Sequence, residues 1–415
     1  MNLVVVTPHF APDVAPTGDV VTRITEELAD RNHRIDVVTS LPWYREHKIE
    51  PGFEGRLIRY EDMPWGRIAR VHPFPTVDKR NIARRAAAFA GFSILAAFAG
   101  SRGGPVDGVL ALSPPLTLGL AGWKIARARR GAFVFNIQDV YPDVAVELGM
   151  LNNRLLIAGA SRLERFCYRR ADLITVLSED LKENIARRIS DPSKIRVVPN
   201  FVDTQWIRPA PRSNAYRREL GLNDEFVVMY AGNVGLSQSL DLMIEAATAL
   251  AHDKDIVFVI NGQGARRAEL EVRAASLPNV RFADMQPPAR LPEVLSAADV
   301  HVVPLRRGLA RSSVPSKTYS ILAAARPIIA SVDGGSEVAR VVEAAGAGIA
   351  VPPEDPEAFT KAVRALAEAP EGARRMGRSG RSWVESWASP QAVAAAYEEL
   401  FTELAEARDP RSPSR

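Results

Sequence analysis

Cysteine is almost missing from this chain: Cys167 is the single one in 415 residues. No intrachain disulfide can form, which fits a reducing compartment. Its setting, Phe166-Cys167-Tyr168 inside a helical pattern, is that of a packed core thiol rather than a nucleophile. Histidine is scarce too. His9, His33, His47, His72, His252 and His301 include no close-spaced pair and no His-Glu-x-x-His, so no metal site is expected. Net charge is small, 53 basic against 49 acidic residues or +4, too mild for a dedicated nucleic-acid binder. The uncharged run Ala86–Ser101 falls short of a spanning helix. Met1-Asn2 leads straight into an apolar strand with no basic segment or cleavage site, so no signal peptide is expected and the start of the chain reads as cytoplasmic.

What is present is ordinary globular usage, 47% hydrophobic and 25% charged, in a length that allows two large domains or three ordinary ones. Leu3–Thr7 ends at Pro8 and reads as a buried parallel strand. A loop with Pro8, Pro12, Pro16 and Gly18 leads into a helix carrying Val20, Val21, Ile24 and Leu28 on one face, and Ile35–Thr39 completes a strand–helix–strand unit. Val109–Leu112, Ala132–Ile137 and Leu173–Val176 continue the alternation. Residues 199–214, with Pro199, Pro209 and Pro211, break it and read as a linker. A second series follows at Phe226–Ala231, Ile256–Ile260, Val280–Ala283, Val300–Val303 and Ile328–Ser331.

The fold class is therefore α/β, with two doubly wound parallel-sheet domains over residues 1–200 and 201–381. A helical region over 382–408 is expected to pack back on the first domain, and a polar tail over 409–415 to be disordered. Ligands of such sheets bind beyond the carboxyl ends of the strands, so the cleft between the domains is the expected site.

Several segments at those strand ends carry chemistry. Ala231-Gly232-Asn233-Val234-Gly235 follows a strand and precedes a helix; glycine there lets the backbone approach an anion, and free helix N–H groups favour it. Thr17-Gly18 opens the first helix with the same logic. Each could equally be plain turn chemistry. Asn261-Gly262-Gln263-Gly264 is a third such turn, structural or ligand-contacting, and does not match the dinucleotide pattern. Pro315-Ser316-Lys317-Thr318-Tyr319 offers a point charge at Lys317 and a helix cap at Ser316, with Gly334-Gly335-Ser336-Glu337 supplying a neighbouring helix start. Gln138-Asp139-Val140-Tyr141-Pro142-Asp143 puts Asp139 where a carboxylate can hold a sugar or acceptor hydroxyl, while Asp143 suits a helix cap.

Taken in order along nearly the whole chain, these segments resemble the retaining glycosyltransferases of family 4. The residues that carry the likeness are Pro8–Gly18, Ser113-Pro114-Pro115-Leu116, Asp139–Pro142 with Glu147–Leu151, Arg170-Ala171-Asp172, Val198–Asp203, Tyr230–Gly235 and Val314–Tyr319. Within the family, the WcaI/WbuB-like bacterial surface-polysaccharide subgroup is most similar. The resemblance implies the GT-B fold, two Rossmann-like domains facing across a deep cleft. It implies a nucleotide-diphosphate sugar donor, a UDP-sugar being favoured, on the second domain, and a glycan or polyprenyl-diphosphate-linked acceptor on the first, in cell-envelope polysaccharide synthesis. No metal or other cofactor is implied. By the same resemblance Asp139 contacts the donor sugar and Lys317 neutralises the leaving diphosphate. Donor contacts fall to Thr17, Gly18, Gly232, Asn233, Gln238, Gly262, Ser316, Tyr319, Gly334, Gly335 and Glu337.

The sequence also departs from the family's pattern. Asn233 and Gln238 stand where an arginine and a lysine are usual, which shifts the counter-charge to Lys317 with Arg306 or Arg307. Ser312 and Ser320 replace an acidic pair whose second member contacts the ribose, and Ala325 replaces a glycine. These departures leave a second class of function open, a nucleotide-sugar-binding homologue that acts as a scaffold. Finally, Arg67, Arg70, Lys79, Arg80, Arg84, Arg85 and Arg102 face only Asp78 within residues 67–102, and Ile82, Phe89, Phe92, Leu95 and Phe98 recur inside that stretch. It is either an amphipathic helix docking on an anionic leaflet, which would hold the protein peripherally on the inner face of the cytoplasmic membrane, or a core helix with basic ends.

Overall fold

The computed structural model describes residues 1–45, 47–75, 82–141, 143, 153–309 and 317–408. The chain divides into two compact units, Met1–Asn200 with Pro390–Arg415, and Phe201–Ser389. Calls made on Pro142, Glu147–Leu151, Ser312, Ser316 and the 409–415 tail lie outside the described residues.

The first unit is built on β1 (Asn2–Val6), β2 (Arg34–Ser40), β3 (Ile58–Met63), β4 (Gly66–Val71), β5 (Gly108–Ser113), β6 (Ala132–Ile137), β7 (Leu173–Val176) and β8 (Ile195–Val197). Their order across the sheet is β3-β4-β2-β1-β5-β6-β7-β8, and all neighbours are parallel except β3 with β4. The apolar runs of β5, β6 and β7 are buried throughout, as strands covered on both faces require. The chain starts in mid-sheet, builds outward through β2 and then crosses back to β5. β1 and β5 are thus neighbours whose connections leave to opposite sides, the switch point where a crevice opens.

Helix Ile82–Gly100 packs Phe92, Ala96, Ala97 and Ala99 into the core of this unit. The three-residue recurrence of Phe89, Phe92, Leu95 and Phe98 does not make one apolar face. At 3.6 residues per turn each such step falls about 60° behind, so the row winds round the helix. Phe89 reaches a cavity, Phe92 the core, and Phe98 is exposed. The exposed side is instead Ala87, Ile94 and Phe98.

The helical region read over 382–408 is two helices. Pro370–Trp387 belongs to the second unit, and a new helix, Pro390–Arg408, starts with proline in its first turn. The latter is part of the first unit. Its Tyr397 hydroxyl accepts from Asn136 Nδ2 at 3.0 Å, and its Phe401 ring occupies the space a Cβ on Gly108 would need. Cys167 is buried in the same core, its thiol pushed up to about 12 by burial and by nearby Glu164. It is a packing residue.

The second unit carries β9 (Phe226–Ala231), β10 (Ile256–Asn261), β11 (Val280–Ala283), β12 (Val300–Pro304), β13 (Ile328–Ser331) and β14 (Gly348–Val351). All are parallel, in the order β11-β10-β9-β12-β13-β14. Here the switch point lies between β9 and β12.

Candidate active site

Near the carboxyl ends of β1 and β5 the first unit opens a cavity of about 470 Å³. Trp43, Tyr44, Phe74, Phe89, Phe92, Pro114 and Pro115 form its apolar walls, and His9, Thr17 and Asp139 are among its polar lining. Asp139 lies two residues beyond β6. A hydrogen-bond chain fixes the approach to it: Gln138 Nε2 donates to Asn136 Oδ1 at 2.6 Å, and Asn200 Nδ2 donates to Gln138 Oε1 at 3.0 Å. The Asp139 carboxylate has no hydrogen-bond or ion-pair partner among the described residues, and partial loss of surrounding water raises its pKa above the ordinary aspartate value. Asp143, by contrast, is committed to an ion pair with Arg188.

His9 and Asp13 were not singled out in the sequence. His9 Nδ1 and Asp13 Oδ2 are 2.6 Å apart, and Asp13 Oδ1 accepts from the backbone N–H groups of Trp43 and Tyr44 at 3.1 and 2.9 Å. The His9 ring also lies against Trp43 and Tyr44. Gly18 serves this arrangement: a Cβ there would sit 3.0 Å from His9 Cβ and 3.3 Å from the Asp13 carbonyl oxygen. The signal available in sequence was a His-x-x-x-Asp pair in the loop after the first strand, which has no helical periodicity to draw attention to it.

In the second unit, the loops after β9 and β10 touch through backbone alone. A Cβ on Gly262 would collide with the Gly232 carbonyl, and both residues have positive φ, +150° and +151°, which glycine tolerates. Lys317, first residue of the helix Lys317–Ala323, brings its Nζ to 2.9 Å from the Tyr230 hydroxyl and 4.2 Å from the centre of that ring. The Tyr230 hydroxyl in turn donates to the Asn233 carbonyl at 2.6 Å. Lys317 has no carboxylate partner among the described residues, and burial lowers its pKa to about 8. A Cβ on Gly232 would lie 2.8 Å from Nζ, so the missing side chain leaves the ammonium approachable.

The remaining candidates divide. Gln238 Oε1 accepts from Gly235 N–H at 3.2 Å and braces its own loop. After β12, Arg307 donates to the Pro353 carbonyl, whereas the Arg306 Nε is buried without a partner. Glu337 pairs with Arg340 at 2.9 Å at the start of helix Glu337–Ala344, beyond the exposed Gly334 and Gly335. Tyr319 is buried and stacks on Trp383 at 6.3 Å, so in this structure it is a core residue. Among the described residues no three His, Cys, Asp or Glu side chains gather to hold a metal ion.

Two family models match the chain in tandem: a glycosyl transferase 4-like domain over residues 17–200 and glycosyl transferases group 1 over 225–369. The chain belongs to the family 4 glycosyltransferases. This glycosyltransferase is 26% identical over 376 residues to the putative colanic acid biosynthesis glycosyl transferase WcaI of Escherichia coli K12, covering 88% of this chain and 91% of that one. Among solved structures it is similar to the sucrose-phosphate synthase of Thermosynechococcus elongatus, with TM-score 0.65, 20% identity, and 98% and 100% of the two chains covered. It is also similar to Anabaena HepE in complex with UDP, with TM-score 0.64, 13% identity, and 97% and 100% covered. Its fold is GT-B, and the scaffold alternative finds no support among these relatives.

Proposed function

We propose that this glycosyltransferase moves a sugar, with retention of configuration, from a nucleoside-diphosphate donor to a lipid-linked or surface-glycan acceptor in cell-envelope polysaccharide synthesis. A UDP-sugar is the favoured donor. The observation that carries the reading is Lys317, a desolvated ammonium whose hydrogen-bonding partner is a neutral phenol, beside a glycine with open backbone. Breaking the bond between the anomeric carbon and the diphosphate leaves negative charge on phosphate oxygens. A fixed cation with little water around it stabilises that charge far better than one in bulk solvent. Arg306, with its unpartnered Nε, is the second cation for the same phosphates. Asp139 offers its free carboxylate to a sugar hydroxyl. No metal has a part in this scheme.

Two relatives lend support in their own names: WcaI is named a putative colanic acid biosynthesis glycosyl transferase, and HepE was solved with UDP. The acceptor is assigned to the first unit's cavity, whose aromatic walls suit the C–H faces of a sugar. Peripheral membrane attachment belongs to the same proposal. Ile94 is 68% and Phe98 50% exposed on the helix Ile82–Gly100, and the Arg102 guanidinium lies 4.0 Å from the centre of the Phe98 ring. Apolar side chains beside arginines suit an anionic leaflet. Among the described residues no helix is long and apolar enough to cross a membrane.

The test is a thermal-shift screen of UDP, GDP, ADP and dTDP with their sugars, followed by nucleotide-release assays on each hit. One nucleotide raising Tm, with its sugar turned over, supports the proposal. Binding without turnover would favour a scaffold, and no response across the panel would remove donor binding altogether.

A further inference from the structure

Tyr230 is wholly buried, in a core cluster of the second unit that includes Val228, Val234 and Ile260. A side chain placed there for packing alone needs no hydroxyl, yet this hydroxyl has two partners. A phenol carries one hydrogen and two lone pairs. The hydrogen goes to the Asn233 carbonyl at 2.6 Å, and a lone pair takes the Lys317 ammonium at 2.9 Å. Both directions are settled, because a carbonyl only accepts and an ammonium only donates. Tyr230 thus ties the donor-side cation to the backbone of the glycine turn that follows its own strand.

The choice of a phenol matters. A carboxylate in its place would pair with the ammonium and cancel the charge that a diphosphate needs. The phenol stays neutral, since burial raises its pKa further above the ordinary range, so it directs the ammonium and leaves the charge whole. The ring face adds a second hold, 4.2 Å from Nζ. Without such holds a lysine's four-carbon stem samples many rotamers. The turn itself brings no charge, because Asn233 and Gln238 are amides. A Cβ on Gly232 would lie 2.8 Å from Nζ and 3.3 Å from the phenol oxygen, so the three groups meet at one point whose open side is the glycine's. We propose that Tyr230 is the positioning residue of the donor site, its hydroxyl holding the Lys317 ammonium against the open backbone of Gly232 without neutralising it. The inference rests on the function proposed above, in which Lys317 meets the diphosphate.

The test is a double-mutant cycle, read by calorimetric titration of UDP at pH 7 into the full-length parent, Tyr230→Phe, Lys317→Ala and the variant carrying both changes. Phenylalanine keeps the ring and removes one oxygen. Tyr230→Phe is expected to bind UDP about tenfold more weakly than the parent, yet to cost less than about twofold where Lys317 is already alanine. Parent-like affinity in Tyr230→Phe overturns the proposal. So does an equal loss in both backgrounds, which would mean that the hydroxyl serves only the Asn233 carbonyl. Lys317→Arg leaves the tyrosine in place, for the case that Tyr230→Phe does not fold. It keeps the charge but replaces a compact ammonium with a planar fork, and should also lose about tenfold. Affinity equal to the parent's would show that charge suffices without position.

A second readout needs no nucleotide. Acetylation of Lys317 by acetic anhydride, followed by mass spectrometry from pH 6 to 10.5, reports the midpoint at which the amine loses its proton. In the parent that midpoint is expected near 8. The titratable groups that bear on it are Tyr230 and, on β12, His301, whose pKa burial lowers to about 4 and which is therefore neutral throughout. In Tyr230→Phe the midpoint should fall by about one pH unit where the ammonium stays against the ring, or rise toward the ordinary lysine value where it escapes to water. Either shift shows that the hydroxyl held it, and an unchanged midpoint overturns the proposal. A parent protein that binds no UDP, with a midpoint that moves in Tyr230→Phe, counts against the proposed function and not against the hold of Tyr230 on Lys317.

Discussion

Lys317 and Tyr230 meet at the carboxyl end of β9 with the ammonium both 2.9 Å from the phenol oxygen and 4.2 Å from the ring centre. The ring face and the hydroxyl are weak substitutes for a counter-ion. The folded protein therefore holds a cation it does not fully stabilise, at the point where the chain passes the open backbone of Gly232.

That arrangement has a cost visible in stability. Dropping a lysine from its ordinary value near 10.5 to about 8 corresponds to roughly 3 kcal/mol against folding in the charged form. The folded value is the depressed one, so the penalty is full below about pH 8 and fades as pH rises toward 10.5. Lys317→Met should raise Tm at pH 7 while abolishing transfer, and the gain in Tm should shrink by pH 10. Melting curves across that range check it, and a Tm lower than the parent's at pH 7 would show that the contact with Tyr230 outweighs desolvation.

Ala325 closes the helix Lys317–Ala323. Its N–H donates to the Leu322 carbonyl at 2.9 Å, and Arg326 N–H donates to the Ile321 carbonyl at 3.2 Å. This is a Schellman motif, whose left-handed position normally holds glycine. Here alanine occupies it at φ +53°. Ala325→Gly is expected to stabilise the protein by about 1 kcal/mol, read by denaturant midpoint with unchanged slope.

Asp139 carries a weaker version of the imbalance at Lys317. Its carboxyl is raised by desolvation with no compensating cation, so the ionised form is the disfavoured one and the penalty grows as pH rises through the shifted value. Asp139 remains exposed to solvent, so its raised carboxyl carries little stability, and Asp139→Asn should melt close to the parent at pH 7. Its sugar transfer should fall by about 100-fold or more. Equal turnover in Asp139→Asn and the parent would remove the residue from the site.

Ile94 and Phe98 stand out from the helix Ile82–Gly100 and contribute little to its packing. The double variant Ile94→Asp and Phe98→Asp should keep the parent's Tm while reducing cosedimentation with vesicles rich in phosphatidylglycerol by about tenfold. Undiminished vesicle binding would assign the exposed face some other purpose.

The sheets were legible because parallel strands buried on both faces leave unbroken apolar runs, and β9, β11 and β13 begin and end where those runs do. β3 was not: in Ile58–Met63 the adjacent charges Glu61 and Asp62 break the alternation on a partly exposed edge, and β14 is a four-residue strand with glycine and alanine. The site was half legible. Lys317 and the glycine turns announce themselves by residue type. Tyr319, read as a donor contact, is a core residue because its helix turns that face toward Trp383. His9 and Asp13 were missed because a loop gives no period from which to read that two residues four apart will meet. The row Phe89, Phe92, Leu95 and Phe98 misled, since a three-residue step is not the helical repeat.

The most direct test of the account is calorimetric titration of UDP into the parent protein and into Lys317→Ala between pH 7 and 9.5. If Lys317 supplies the counter-charge, the parent's affinity is constant below about pH 8 and falls as pH rises through it, because the free enzyme loses the ammonium that the diphosphate needs. Lys317→Ala should bind about 10- to 100-fold more weakly at pH 7 and show no such fall. Equal affinity in the two proteins, or the same pH dependence in both, would contradict it.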